Sequence, residues 1–274
     1  MKVNEVICKS FITKSKLPDA DYVINPYTGC CHGCAYCYAQ YMCRFTNHCG
    51  EAWGSFMDVK TDGKFSIPKN IRGKTILIGS VTDPYNPLEK KYEATRNILK
   101  KLSTMAIEAK IEILTKSPLI LRDLDLIKSI PEISVGISLS TTDETFAKVT
   151  EKYAASPKRR IEVIHKLYDN RIPVYVFISP IFPYLSDWRN VVDGVGIKAD
   201  KFCFENLNLR ANYKSDVYKI LQEYYPEVFP QFSGLYGNRD MLRSYWENES
   251  KEIEKYMTGR SYKLYFFHEE IKKG

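Results

Sequence analysis

The sequence predicts an α/β fold, a partial barrel of about six β/α units with a small C-terminal α/β cap. Three observations predict it. Short runs rich in β-branched residues recur along the chain, and helical patterns of roughly 3.6-residue period lie between them. Polar residues follow nearly every run, at the strand ends where a parallel barrel gathers its functional groups.

Taken in order, the first strand is a weak one at residues 21–25, just before a group of cysteines. Residues 75–79, 111–115, 133–137 and 173–178 carry near-continuous apolar runs and read as strands buried on both faces. Residues 201–204 supply a sixth. Helices are expected at 89–102, 119–129 and 157–170, the last with Ser156 as N-cap and Pro157 in the first helical position. The strand ends carry Ser80-Val81-Thr82-Asp83, Thr115-Lys116-Ser117, Ser138-Leu139-Ser140 and Ser179-Pro180. Beyond about Lys214 the character changes to aromatic Tyr224-Tyr225-Pro226, a charged helix at 238–255 and a strand-like 262–267. We read residues 1–210 as the barrel core and 211–274 as a cap packed on it, one domain overall.

The 274 residues include 40 Lys plus Arg against 33 Asp plus Glu, a net charge of +7, with 44% apolar residues, which excludes a disordered chain. No apolar run approaches the roughly 18 residues of a membrane span. The polar start lacks the apolar stretch of a secretory leader, so a cytoplasmic location is expected. Seven of the eight cysteines fall in the first fifty residues, and in a reducing compartment such clustering points to metal instead of disulfides. The basic residues are dispersed, and the densest run, Lys158-Arg159-Arg160, reads as a solvated helix face. A nucleic-acid partner is therefore not favoured.

Cys30-x3-Cys34-x2-Cys37 follows the first strand. Three thiolates so spaced suit three irons of a 4Fe-4S cluster, leaving the fourth iron open to a reactant. Other readings are weaker. Cys31-x2-Cys34-x2-Cys37 fits a ferredoxin run, but Tyr41-Met42 stands where a cysteine and proline are needed. A zinc site would combine Cys34 and Cys37 with Cys43, His48 or Cys49 in loose spacing. Cys8, Cys31, Cys43, Cys49 and Cys203 read as packing thiols.

The cysteine motif, with an aromatic residue before its last cysteine, resembles that of the radical S-adenosylmethionine (SAM) superfamily. Asn25-Pro-Tyr-x-Gly-Cys30, His32-Gly-Cys34-x-Tyr-Cys37-Tyr38, Thr82-Asp-Pro-Tyr85 and Thr115-Lys-Ser117 look like its spore photoproduct lyase-like branch. So do Ser138-x-Ser140, Ala155-Ser-Pro157-x-x-Arg160 and Ser179-Pro-Ile-x-Pro183, so that the resemblance spans roughly residues 20 to 210. It implies a radical SAM partial (β/α)6 barrel whose 4Fe-4S cluster, on Cys30, Cys34 and Cys37, binds S-adenosyl-L-methionine. It also implies an external one-electron donor such as flavodoxin or ferredoxin, reductive cleavage to a 5′-deoxyadenosyl radical, and hydrogen abstraction from substrate. The matching positions assign cofactor contacts to Tyr36, Ser80, Lys116, Ser138 and Ser179: Tyr36 beside the adenine, Ser80 at the amino group, Lys116 at the carboxylate or ribose. Tyr38 matches a tyrosine of the photoproduct lyase's hydrogen-return pathway. The donor cysteine of that pathway is replaced by Val81, which has no thiol hydrogen to give, and Cys203 is the only cysteine late in the chain.

Strand-end residues not assigned to the cofactor are candidate substrate contacts: Asp83 and Tyr85, with Asn86, after one strand, and Glu205, Asn208 and Arg210, with Asn206, after another. Carboxylates and amides at an aromatic-rich mouth suit a planar, hydrogen-bonding, nucleobase-like small molecule. The same branch contains queuine lyases, similar in size and also without the donor cysteine, which release 7-aminomethyl-7-deazaguanine by C–N cleavage. That resemblance makes queuine the expected substrate, ahead of photoproduct DNA and of RNA or peptide. A non-catalytic iron-sulfur or zinc protein is the reading from a different class.

Overall fold

A computed structural model describes residues 1–105, 107–209 and 213–266. The chain opens with β1 (Lys2–Ser10), β2 (Ile12–Leu17), β3 (Ala20–Ile24) and the short β4 (Tyr27–Thr28). The cysteine loop leads into a 3-10 segment, Tyr38–Phe45, and then β5 (Phe56–Lys64). After β6 (Lys74–Ile78), strands alternate with helices: α1 (Glu89–Tyr92), α2 (Ala94–Thr104), β7 (Ala109–Thr115), α3 (Leu124–Ser129) and β8 (Ile133–Ser138). Next come α4 (Glu144–Thr150), α5 (Pro157–Asp169), β9 (Val174–Ile181), α6 (Trp188–Val195) and β10 (Lys201–Asn206). Three helices, α7 (Tyr213–Tyr224), α8 (Phe229–Gly237) and α9 (Arg239–Tyr256), precede β11 (Tyr262–Tyr265).

The main sheet has eight strands in the order β11-β10-β9-β8-β7-β6-β3-β2, parallel throughout except for the β2/β3 hairpin at one edge. It is the curled half-barrel expected from the six runs. Ile76, Ile78, Ile111, Ile113, Val135, Ile137, Val176 and Ile178 are all essentially buried, because helices cover one face and the curl closes over the other.

The structure adds what the periodicity did not show. A second sheet, in the order β1-β5-β4, stands beside the half-barrel. β1 is open to solvent, alternating exposed and half-buried positions from Val3 onward, so its sequence is largely polar, and β5 is buried only in its first half, at Phe56, Met57 and Val59. The helices α4 and α6 are too short for a clear period. The expected helix at 89–102 is broken at Glu93, whose φ is +47°. The cause is Glu89, fully buried, whose carboxylate accepts the N–H groups of Thr95 at 2.9 Å and Arg96 at 3.1 Å and so starts a new helix. Ser156 precedes Pro157 as expected, but its hydroxyl makes no cap hydrogen bond. The last strand pairs in parallel with β10 and so extends the barrel sheet.

Candidate active site

The chain leaves β3 at the half-barrel edge and reaches the cysteines through Asn25-Pro26-Tyr27, where Asn25 holds the end of β6 by hydrogen bonds with Ser80 Oγ at 2.9 Å and Val81 N–H at 3.1 Å. Thr82 Oγ1 donates to the Gly29 carbonyl at 2.6 Å, so the cysteine loop is tied to the same strand end. The loop then turns tightly: Gly33 N–H donates to Cys30 O at 3.3 Å and Cys37 N–H to Cys34 O at 3.1 Å. Cys30 and Cys34 are buried and Cys37 is half-buried.

Burial raises all three thiols, Cys34 to about 12, and the thiols of Cys34 and Cys37 also raise Cys30. They are therefore close enough to feel one another. Among the described residues, no three His, Cys, Asp or Glu side chains converge on a single metal ion. Thiols that interact across a gap without converging fit a multi-iron cluster and not the zinc site. His48 is unsuited to zinc as well, since both ring nitrogens are taken, Nδ1 by Glu51 at 2.9 Å and Nε2 by Asp58 at 3.0 Å. Cys30, Cys34 and Cys37 are thus the residues that would hold the cluster.

Beyond the cysteines, the ends of β7 and β8 hold a buried charge network. Lys116 Nζ donates to Ser138 Oγ at 2.8 Å, lies 3.7 Å from Glu151 Oε1 and sits 5.8 Å from the centre of the Tyr36 ring. Glu151, after α4, is buried with Arg160 of α5, and the two are directly bonded. Arg160 also donates to the Ser138 carbonyl at 3.1 Å and to Ala155 O at 2.7 Å. Burial alone would push the Glu151 carboxyl up, yet Arg160 and Lys116 hold it at about 2. Burial likewise opposes the Lys116 ammonium, and the negative groups around it, Glu151 foremost, together raise it above its usual value. Lys116 and Ser138 thus stand together at the ends of β7 and β8.

Tyr36 is buried against Phe182, and its hydroxyl donates to Glu151. Its side chain is thus committed to the wall. Arg160 is no solvated helix face: it is 1% exposed, the reverse of what the basic run indicated. The Ala155-Ser-Pro-x-x-Arg160 spacing was the signal that set it apart, whereas nothing in the sequence marked Glu151.

Two expected substrate contacts lie inside the wall. Asp83 has both oxygens occupied, Oδ1 by Thr115 Oγ1 at 2.6 Å and Tyr85 N–H at 2.8 Å, Oδ2 by Lys116 N–H at 2.8 Å, with His32 Nδ1 at 3.4 Å. It locks β6, β7 and the cysteine loop together. Burial keeps His32 below its usual range and therefore neutral. Tyr85 is wholly buried and packs in the main core, its hydroxyl near Asp123, and Asn86 is equally buried. A strand-end position, read along the sequence, does not say whether the residue turns inward or outward.

The remaining candidates gather at the ends of β9 and β10. Ser179 Oγ donates to Glu205, both half-buried. Tyr38 is an exposed side chain whose hydroxyl donates to the Ser80 carbonyl and feels the charge of Glu205. The Asn208 carbonyl accepts from the Tyr213 hydroxyl, and Asn206 is half-buried. Arg210 lies outside the described residues. Cys203 is buried beside Lys201, Glu112 and Asp19, none of them at the C-terminal end of a strand, and burial raises its thiol to about 11.

A second apolar cluster joins Cys34 and Tyr36, through Phe146 and Phe182, to Val217, Leu221 and Phe232 of the C-terminal helices. Among the described residues no helix is long and apolar enough to cross a membrane.

Residues 24–192 match the Radical SAM superfamily. The uncharacterized protein MJ0683 of Methanocaldococcus jannaschii is 37% identical over 256 residues, 93% of this chain and 94% of its own length. Spore photoproduct lyase complexed with dinucleoside spore photoproduct is similar in structure, with a TM-score of 0.65 and 13% identity over 96% of this chain and 81% of the lyase. A variant of that lyase with bound AdoMet and dinucleoside spore photoproduct gives 0.61 at 14% identity, over 97% and 82%.

Proposed function

This chain belongs to the radical SAM superfamily, whose members use a 4Fe-4S cluster and SAM, and we propose that it removes a hydrogen atom from a nucleobase-like small molecule, with queuine as the substrate of choice. When bound, the cluster and SAM supply a primary carbon radical by one-electron cleavage of the sulfonium. The chain's own residues bind, orient and exclude water. Cys30, Cys34 and Cys37 would hold the cluster. Lys116, fixed by Ser138 and Glu151, offers a buried cation to a carboxylate. Ser80, already tied to Asn25, stands at the adjoining strand end.

The observation that carries the substrate reading is the grouping of Ser179, Glu205 and Tyr38 at the ends of β9 and β10. A carboxylate accepts hydrogen bonds from a base edge bearing N–H groups, and an exposed tyrosine ring offers a flat face for stacking. Queuine has such an edge, and in this reading hydrogen abstraction from the hydroxyl-bearing ring carbon beside the carbon that carries the nitrogen lets the C–N bond break by β-fragmentation: the ring leaves as an enol with a new C=C bond, and the nitrogen radical takes an electron from the external one-electron donor and a proton to become 7-aminomethyl-7-deazaguanine. The likeness to spore photoproduct lyase over 96% of this chain favours a second reading, repair of a thymine photoproduct in DNA. Val81 in place of a thiol donor weighs against it.

The test is mass spectrometry on anaerobically reconstituted, reduced protein given SAM with queuine, with photoproduct dinucleoside, or with neither. Loss of queuine matched by 7-aminomethyl-7-deazaguanine and 5′-deoxyadenosine supports the first reading. Conversion of the dinucleoside alone supports the second. Cofactor cleavage with both compounds intact removes both substrates and leaves the radical chemistry standing.

A further inference from the structure

The turn at Ala52–Ser55 carries a polar group that nothing described so far uses. Trp53 packs edge-on against Phe56, with ring centroids 6.0 Å apart at 84°, and its indole Nε1 is fully buried without a well-formed hydrogen bond. A buried N–H left in this state costs about 1–3 kcal/mol, so its position needs a reason. The indole lies close enough to the Cys37 thiol to work against the rise that burial gives it, without completing a hydrogen bond to the sulfur.

The turn cannot drift away from the cysteines. Ser55 N–H closes it on Ala52 O at 3.0 Å, and Gly54 adopts φ +91°, the left-handed conformation that a turn of this kind assigns to glycine. A Cβ on Gly54 would lie 3.0 Å from the Cα of Gly33, between Cys30 and Cys34, so only glycine lets the two backbones approach so closely. On the other side, a Cβ on Gly29, also at positive φ, would lie 2.6 Å from the Phe56 carbonyl. The Trp53 turn is thus seated on the cysteine loop at two close backbone contacts.

We propose that the Trp53 indole N–H donates a hydrogen bond to the Cys37 sulfur of the bound cluster and raises the cluster's reduction potential. The inference rests on the cluster assignment and is independent of the substrate. Reduction adds an electron whose charge spreads onto the sulfurs, and the positive end of an N–H dipole stabilises that state more than the oxidised one. In the thiol form the sulfur is a weak acceptor, which accounts for the imperfect hydrogen bond; the thiolate of a cluster is a much better one.

The test is an EPR-monitored redox titration of the anaerobically reconstituted full chain without SAM or substrate. It compares the wild type, Trp53→Phe, and a protein with β-(3-benzothienyl)alanine incorporated at position 53, which keeps the indole shape with sulfur in place of N–H. At the wild-type midpoint the reduced-to-oxidised ratio falls on the order of tenfold in both replacements, equivalent to about 59 mV for a one-electron couple. Trp246→Phe, which removes another buried and unpartnered indole N–H, leaves the ratio unchanged. If Trp53→Phe fails to load iron, the benzothienyl protein decides. A normal cluster whose potential ignores the benzothienyl replacement overturns the inference alone. A wild-type chain that reconstitutes with far fewer than about four irons overturns the cluster assignment and the inference with it.

Discussion

The two walls of the site are built on opposite principles. On the half-barrel side, charge holds charge: Glu151 and Arg160 are buried together with Lys116 beside them, the two cations keep the carboxylate ionised, and the carboxylate offsets the cost of burial for both. On the side of the small sheet, shape holds shape: Gly29 and Gly54 admit backbone contact, His48 stacks flat on Phe56 at 3.9 Å, and Trp53 closes the row. A charged wall suits a zwitterionic ligand that must be gripped at its ends. A packed wall suits a cluster whose surroundings must be dry and fixed, because solvent access and hydrogen bonds to sulfur set its potential.

Removing a ligand from the packed wall has the largest effect. Cys34→Ala is expected to abolish the fourth-iron site and reduce 5′-deoxyadenosine formation to background, measured by mass spectrometry beside iron and sulfide content. Cys31→Ser, one residue from the motif, is expected to keep both. A Cys34→Ala protein that still cleaves SAM ends the cluster assignment to these three cysteines.

On the charged wall the comparable change is Glu151→Ala. It strands Arg160, 1% exposed, near a half-buried Lys116, and an unpaired buried charge of this kind costs about 3–5 kcal/mol. Urea denaturation of the full chain measures it. Because the folded carboxyl is held at about 2, against 4.5 ordinarily, its contribution is fully present above about pH 4.5 and fades as pH falls toward about 2. Pairing Glu151→Gln with Arg160→Met is expected to recover much of the loss. If Glu151→Ala shifts stability by less than about 1 kcal/mol, the network is held by something other than charge.

These walls were unequally legible in the sequence. The half-barrel strands were clear because β-branched residues recur at alternate, fully buried positions, as with Ile76 and Ile78 or Ile111 and Ile113. The cysteines were clear because their spacing is itself the chemistry. The small sheet was illegible, since β1 is mostly exposed and the second half of β5 is polar, which leaves only Phe56, Met57 and Val59 as a short apolar signal. Glu151 and Trp53 were hidden for another reason. A residue's partner across 115 positions, as with Glu151 and Tyr36, or on a turn 16 residues away, as with Trp53 and Cys37, is a product of the fold and leaves no local trace.

At the mouth, where the walls meet, the expected effect is smaller and concerns substrate alone. Glu205→Gln keeps the size of the side chain but replaces one acceptor oxygen by a donor, while Ser179 retains a partner. We expect KM for the base to rise about tenfold, roughly 1.4 kcal/mol, with SAM cleavage continuing and the ratio of 5′-deoxyadenosine to product increasing. An unchanged KM would remove Glu205 from substrate recognition.

The smallest effect lies deepest in the packed wall and reads out through pH. Burial works against a charged His48, but hydrogen bonds to Glu51 and Asp58 raise its pKa above 6.5 overall. Lys2 backs Glu51 at 3.4 Å and Asn4 backs Asp58 at 2.8 Å, so both carboxylates are fixed as partners of an imidazolium. For a raised pKa, the added stability is fully present below about pH 6.5 and is lost as pH rises through the folded value. The difference in urea midpoint between the wild type and His48→Gln should therefore be widest near pH 6 and shrink toward about pH 9. Asp58 belongs to β5, whose neighbour Val59 pairs with Tyr27 of β4 just ahead of the cysteines, so what His48 releases is the anchor of the cluster loop. A midpoint difference constant with pH would mean that His48 serves only as a flat ring for Phe56, and that the small sheet is held by packing alone.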